Sequence, residues 1–133
     1  MARSKRLAAH AAVDALVRPN MKVGLGTGST AVEAVRRIGK LVRSGALEGM
    51  LFVATSLQAE IECASGSLSF ASLNDPRIEG RLDLTIDGAD EVDPLGRLVK
   101  GMGGAMLREK IVASASARYA VVVDESNIDA VAY

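Results

Sequence analysis

Three short segments of this 133-residue chain combine glycine with side chains that bind phosphate or move protons. They are Gly24-Leu-Gly-Thr-Gly-Ser-Thr30, Asp87-Gly-Ala-Asp-Glu91 and Lys100-Gly-Met-Gly-Gly-Ala-Met-Leu-Arg-Glu-Lys110. Each follows an apolar run typical of a β-strand, so each is expected at the carboxyl end of a strand. In an open parallel sheet these ends share one edge, and ligands bind there. The pattern predicts one site for a small phosphorylated substrate, with acid–base groups beside it.

The first segment has the features of a phosphate-binding turn. Its glycines let the backbone turn tightly, and the N–H groups at the start of the following helix attract an anion. Ser29 and Thr30 add hydroxyl donors. The segment lacks the Gly-Lys-Ser/Thr ending of a Walker loop and the third glycine of a dinucleotide fingerprint. Taken alone, it fits phosphate binding and a structural strand–helix turn about equally well.

The second segment places three carboxylates within five residues. Close carboxylates raise one another's pKa, which suits proton transfer. By itself the run also fits a solvated acidic turn capped by Asp87 or Asp90, and an all-oxygen Mg²⁺ site stays open. Nitrogen or sulfur ligands are disfavoured because His10 is the only histidine and Cys63, the only cysteine, lies elsewhere in the chain.

The third segment places a glutamate on a helix just after a glycine-rich turn. A helical wheel predicts that one stripe faces the sheet, while Glu109 lies off that stripe and is therefore free to face a cleft. The stripe consists of Leu107, Ile111, Val112 and Ala115. Lys100 and the amides that follow it could stabilise a developing oxyanion. Without this turn, Glu109 would be interpreted as an ordinary surface residue.

The elements that must position these segments alternate between strands and helices. Helices are expected over residues 3–18, 29–42, 56–64 and 103–116. Strands are expected over 22–25, 50–54, 68–71, 82–86 and 119–123, with a turn or short hairpin over 92–99. Several strands are continuous apolar runs, which is typical of a parallel sheet covered on both faces. The fold class is therefore α/β, a Rossmann-like open and mostly parallel sheet.

Two helix starts carry capping signals. Thr30 with Glu33 predicts a capping box at the second helix, and Thr55 with Gln58 predicts a cap at the third.

Composition restricts the class of function. The chain is 49% hydrophobic with a mean hydropathy of +0.21, which predicts a folded domain. Its net charge of zero and its 3% aromatic content argue against nucleic acid as a partner. The apolar N-terminal stretch is too short and interrupted for a signal peptide or membrane span. A single cysteine fits a reducing cytoplasm.

Together, the three segments resemble the type A family of ribose-5-phosphate isomerases. The matching pieces are Gly-Thr-Gly-Ser-Thr at 26–30, Asp-Gly-Ala-Asp-Glu at 87–91 and Lys-Gly-x-Gly-Gly-Ala-x-x-Arg-Glu-Lys at 100–110, in the family's order and spacing. The resemblance runs along essentially the whole chain. It implies interconversion of D-ribose 5-phosphate and D-ribulose 5-phosphate through an enediolate, in the non-oxidative pentose phosphate pathway, with no metal or organic cofactor. A homo-oligomer, either dimer or tetramer, is also expected, because an exposed last strand invites association.

The resemblance also implies roles for individual residues. Glu109 matches the base that moves a proton between C1 and C2, and Asp87 matches the carboxylate that handles hydroxyl protons and ring opening. Lys100 would stabilise the enediolate oxygen, and Asp90 would hold substrate hydroxyls. Arg6 stands near the place of a basic residue that reaches the phosphate. The implied substrate contacts are Thr27, Gly28, Ser29, Thr30, Asp87, Gly88, Ala89, Asp90, Lys100, Gly101, Met102 and Gly103.

Two departures from the family pattern keep an alternative open. Residues 1–133 account for one Rossmann-like isomerase domain, whereas family members usually carry a second, smaller α/β domain, so a truncated domain is expected. Asn127 stands where the family usually has a lysine. The alternative is a non-catalytic sugar-phosphate-binding module of the same fold. A nucleotide-binding domain is disfavoured because no acidic residue closes the second strand at Ala54-Thr55.

Overall fold

A computed structural model describes residues 2–88, 91–92, 98–99, 106–122 and 131–132. The helices are α1 (Ala2–Leu16), α2 (Ser29–Arg43), α3 (Leu57–Ser65) and α4 (Met106–Ser114). The strands are β1 (Lys22–Leu25), β2 (Leu51–Ala54), β3 (Leu82–Gly88), β4 (Glu91–Val92), β5 (Leu98–Val99), β6 (Ser116–Val122) and β7 (Val131–Ala132). No helix in this described part is long and apolar enough to cross a membrane.

The main sheet has the strand order β2-β1-β3-β6-β7. The first four strands are parallel, and β7 pairs antiparallel with β6. β4 and β5 form a separate antiparallel hairpin. The predicted open, mostly parallel sheet and the hairpin are therefore confirmed. The strand expected to be last, β6, pairs with β7 at Val121 and Val122 only, and β7 stands at the edge of the sheet.

The two faces of the sheet are covered by different helices. Along a strand, successive side chains point to opposite faces. Leu25 and Ile86 face the main core, which also takes the apolar stripes of α1 and α2. Val53 of β2 and Val112 of α4 belong to a second, smaller cluster, through which α4 packs on the other face. Helices thus cover both faces, as the continuous apolar strands predict.

One predicted strand is wrong. Residues 68–71 contribute a single isolated bridge, between Phe70 and Phe52 of β2. Ala71 donates one backbone hydrogen bond to the Phe52 carbonyl, after which the chain turns away through Ser72 and Asp75. The turn begins too soon for a ladder to form. The other predicted elements are present, with ends that differ by a few residues at most.

The single cysteine and the single histidine of the chain differ in burial. Cys63 of α3 is fully buried in the main core, and His10 of α1 is half-buried. Burial, together with the neighbouring Glu60 and Glu62, raises the pKa of Cys63 to about 11. The folded state therefore disfavours the thiolate.

The reactivity of Cys63 is the first test of this core. We expect alkylation by iodoacetamide at pH 8 to be much slower in the native chain than in urea, because the thiolate is the reactive form. The contribution of this group to stability is fully present below its ordinary pKa of 9.0 and is lost as the pH rises toward about 11. Alkylation rates and urea midpoints measured across this pH range check both statements. Equal rates in native and unfolded chain would contradict them.

Two isoleucines on neighbouring helices form a matched pair for testing the main core. Ile38 of α2 is fully buried, whereas Ile61 of α3 is 57% exposed. We expect Ile38→Ala to lower the free energy of unfolding by about 2–5 kcal/mol through lost burial and a residual cavity. Ile61→Ala should change it by less than about 0.5 kcal/mol. Urea denaturation of the two variants makes the comparison, and similar losses would show that α2 is packed differently.

Candidate active site

The loop between β1 and α2 is attached to the end of β3. The Gly26 amide donates to the Ile86 carbonyl at 2.9 Å, and the Thr27 amide donates to Oδ1 of Asp87 at 3.1 Å. Gly26 has no room for a side chain, because a Cβ there would collide with the Asp87 carboxylate. The glycine at this position is therefore required by the close approach of the two strand ends.

The helix α2 starts without a side-chain cap. Its N-cap residue is Gly28, whose φ of 104° favours glycine, and no side chain caps the first turn. The predicted capping box of Thr30 and Glu33 is wrong, because Thr30 already lies inside the helix and Glu33 pairs with Arg36 at 3.5 Å. An uncapped helix start presents backbone N–H groups and the positive end of the helix dipole to an anion.

A lysine on α1 reaches this helix start. Nζ of Lys5 donates to Oγ of Ser29 at 2.8 Å. The signal was present in the sequence, because Lys5 lies one turn before the buried Ala9 and so shares the inward stripe of α1. Arg6, which the resemblance places near the phosphate, is exposed on α1, and its role stays a prediction.

Asp87 is fully buried at the carboxyl end of β3. Its Oδ1 accepts hydrogen bonds from the amides of Thr27 and Gly88, at 3.1 and 2.8 Å, and its Oδ2 accepts one from the Tyr119 hydroxyl at 2.9 Å. The alternative of a solvated acidic turn is therefore wrong for this residue. Sequence reasoning missed Tyr119, because its place opposite Thr85 follows from the parallel register of β3 and β6.

The first two sequence segments meet at one edge of the sheet. A Cβ placed on Gly88 would lie 3.2 Å from the Ala31 amide nitrogen and 3.3 Å from Cβ of Thr30. The end of β3 therefore lies against the first turn of α2. The structure thus brings together Thr27, Gly28, Ser29, Thr30, Asp87 and Gly88.

The third segment is described only from Met106 onward. The backbone of Glu109 lies in α4, and its side chain is outside the described part. The remaining predicted residues lie wholly outside the described part, and their roles stay predictions. These are Ala89, Asp90, Lys100, Gly101, Met102, Gly103 and Asn127.

The helix that carries Glu109 is fixed to the sheet. Val112 is buried and lies against Gly24, where a Cβ would come within 2.9 Å of it. The amide of Leu82 donates to the Ala115 carbonyl at 3.0 Å just after the helix ends. Ile111 is 53% exposed, so its predicted place in the sheet-facing stripe is wrong. A Cβ on Gly24 would also meet Thr85, so α4 covers the Thr85 face of β3.

That face is also the face of Asp87. Thr85 and Asp87 are two residues apart on β3, and alternate residues of a strand share a face. Arg108 of α4 pairs with Glu60 of α3 at 2.9 Å, which ties α4 to the element after β2. The helix of Glu109 and the carboxylate of Asp87 therefore lie on one side of the sheet. Among the described residues, no group of three or more His, Cys, Asp or Glu side chains could hold a metal ion.

Comparison with known proteins decides the family. Residues 51–131 match the family model described as ribose 5-phosphate isomerase A (phosphoriboisomerase A). The chain belongs to this family. It is 46% identical over 126 residues to a ribose-5-phosphate isomerase A of Treponema denticola, covering 91% of this chain and 53% of that protein. It is 40% identical to a ribose-5-phosphate isomerase of Plasmodium falciparum, covering 93% of this chain and 51% of the relative.

Solved isomerase structures share the fold. The ribose 5-phosphate isomerase from Plasmodium falciparum superposes with a TM-score of 0.83 at 39% identity, covering 91% of this chain and 50% of that one. A D-ribose-5-phosphate isomerase in complex with phospho-erythronic acid gives a TM-score of 0.85 at 34% identity, covering 94% and 53%. The chain spans about half the length of the relatives it matches.

Gly26 provides a direct test of the packing around Asp87. We expect Gly26→Ala to lower the free energy of unfolding by about 1–3 kcal/mol, because the new methyl group overlaps the Asp87 carboxylate. Gly66→Ala is the control, since its Cβ would meet only ordinary contacts at 3.5 and 3.8 Å and its φ is −88°. The control should be neutral or gain up to about 1 kcal/mol. Thermal denaturation of both variants makes the comparison. Equal stability of Gly26→Ala and Gly66→Ala would contradict the close approach of Gly26 to the Asp87 carboxylate.

Proposed function

We propose that this chain is the substrate-binding and proton-transferring part of a sugar-phosphate isomerase, which interconverts D-ribose 5-phosphate and D-ribulose 5-phosphate. The observation that carries the proposal is the buried Asp87 carboxylate, held by hydrogen bonds on both oxygens beside the uncapped start of α2. Membership of the isomerase family supports it. Residues 1–133 are proposed to act as one Rossmann-like isomerase domain.

The phosphate group is proposed to bind at the start of α2. The N–H groups of the first turn, the hydroxyls of Ser29 and Thr30 and the ammonium of Lys5 together provide charge-assisted donors. The solved relative in complex with phospho-erythronic acid supports a ligand of this class. The sugar would then extend from α2 across the end of β3 toward α4.

The proposed reaction moves protons only. A base removes the proton from C2 of the open-chain aldose to give an enediolate, and returns a proton to C1 while the hydroxyl proton passes between O2 and O1. Glu109 is the proposed base, and Lys100 with the amides of Gly101, Met102 and Gly103 stabilises the oxyanion. Asp87 exchanges the hydroxyl protons and opens the ring, and Asp90 holds substrate hydroxyls. These side chains and amides account for every proton that moves and for the negative charge of the enediolate, so the proposal includes no cofactor and no metal.

The partners follow from the same proposal. The substrate is a small phosphorylated pentose, and the zero net charge supports a protein that has neither nucleic acid nor membrane as its partner. A homo-oligomer, dimer or tetramer, and a cytoplasmic location are proposed with it.

The test is an isomerase assay in D₂O on folded chain. Wild type should convert ribose 5-phosphate to the ketose and exchange the transferred hydrogen with solvent, both followed by proton NMR. Glu109→Gln should lower kcat by roughly 10²–10⁴-fold, as expected for loss of a general base. Asp87→Asn should also lower kcat, because an amide cannot exchange the hydroxyl proton.

Two surface variants serve as matched controls for these substitutions. Asp83→Asn changes an exposed carboxylate on the same strand as Asp87, and Glu79→Gln changes an exposed glutamate in a turn. Both should keep wild-type kcat within about twofold.

The alternative function gives a different result in the same experiment. Because the chain spans about half the length of its relatives, a binding module without chemistry is the second candidate. A folded wild type that binds ribose 5-phosphate in calorimetry but exchanges no hydrogen would favour that module. A folded wild type that neither binds nor exchanges would refute both.

A further inference from the structure

Three buried hydroxyl groups lie together beside the proposed phosphate site. They belong to Thr27 in the loop before α2 and to Thr55 and Ser56 in the loop before α3, and their residues are 9%, 0% and 8% exposed. Oγ1 of Thr27 lies 2.7 Å from Oγ of Ser56 and 3.3 Å from Oγ1 of Thr55. A hydroxyl cluster shielded from water is held in place by its own hydrogen bonds.

Ser56 has two roles in this cluster. Its Oγ accepts the Ala59 amide at 3.1 Å, so Ser56 rather than the predicted Thr55 caps α3. Thr55 is not the cap because α3 begins at Leu57, which makes Ser56 the N-cap residue, whereas the Thr55 side chain is buried at the end of β2. The same Ser56 oxygen makes the short contact with Thr27. The start of α3 is therefore joined to the loop before α2.

Thr27 is consequently held from two sides. Its amide donates to Asp87 at the end of β3, and its side chain contacts Ser56 after β2. The next residue is Gly28, the N-cap of α2, whose carbonyl accepts the Val32 amide at 2.9 Å. A shift of Thr27 would therefore move the first N–H groups of α2, which are the proposed phosphate donors.

We propose that Ser56 is a positioning residue for phosphate binding. Its hydroxyl holds Thr27, and through Thr27 it holds the loop before α2, whose N–H groups are the proposed phosphate donors. The inference rests on the proposed function for its ligand and on the described contacts for its mechanism. Without the Ser56 hydroxyl, the loop samples other positions, and binding must first select the competent one. The expected effect is weaker phosphate binding, with little effect on the chemical step.

The experiment compares two serine-to-alanine variants. Ser116 offers a close match to Ser56, because its Oγ also contacts a buried threonine, Thr85 at 2.6 Å, and a helix terminus, the Val112 carbonyl at 2.8 Å. Calorimetry measures the Kd of inorganic phosphate and of ribose 5-phosphate, and hydrogen exchange measures protection of the Thr27 amide. Urea denaturation measures stability, and Ser56→Thr keeps the hydroxyl.

We expect Ser56→Ala to weaken binding of both ligands by about three- to tenfold, the range for one lost hydrogen bond. Exchange of the Thr27 amide should accelerate by a similar factor. In the isomerase assay, Ser56→Ala should raise KM and keep kcat within about twofold of the wild-type value. Ser116→Ala should lose comparable stability with unchanged binding and Thr27 exchange, and Ser56→Thr should restore wild-type values.

Two other outcomes separate the possible failures. If Ser56→Ala loses only stability, as Ser116→Ala does, with unchanged Kd and Thr27 exchange, then Ser56 is a helix cap alone and the inference is overturned. If wild type binds neither phosphate nor ribose 5-phosphate, the proposed function fails. The Thr27 exchange rate then still decides whether Ser56 positions the loop.

Discussion

The structure depends on one buried carboxylate. Asp87 lies out of water at the end of the central strand β3, where an unpartnered charge would be costly. Its hydrogen-bond donors come from the loop after β1, from the backbone of Gly88 and from Tyr119 on β6. This single side chain thereby joins the loop after β1 to Tyr119 in the middle of β6. Gly26 must remain a glycine because the carboxylate occupies the space of its Cβ.

The proposed active site draws on three elements near this edge of the sheet. The uncapped start of α2, with Lys5 beside it, suits a phosphate. Asp87 suits hydroxyl protons. The helix α4, which carries Glu109, lies on the Asp87 face of the sheet and is fixed there by Val112 and by the Leu82 amide. The proposed isomerase reaction on a phosphorylated sugar uses these three groups.

Two pairs of hydroxyl groups connect the sheet and its loops to the helices α3 and α4. Thr27 with Ser56 joins the loop of α2 to the start of α3, and Thr85 with Ser116 joins β3 to the end of α4. In each pair a threonine from the sheet side contacts a serine that also bonds a helix terminus. Short buried hydroxyl contacts have narrow geometry, so they hold the helices at fixed positions over the sheet.

The sequence by itself determined the α/β class, the parallel sheet, most of its elements and the convergence of the first two glycine segments. These follow from local signals, namely the apolar runs, the glycines and the 3.6-residue period, which act over a few residues. It also pointed to Asp87 and to the family. Only the tertiary structure decided that Lys5 reaches Ser29, that Tyr119 holds Asp87, and that Ser56 rather than Thr55 caps α3. It likewise decided that residues 68–71 make a single bridge and that Ile111 is exposed. The reason is that each of these depends on strand register and helix rotation, which are set by contacts between residues far apart in the chain.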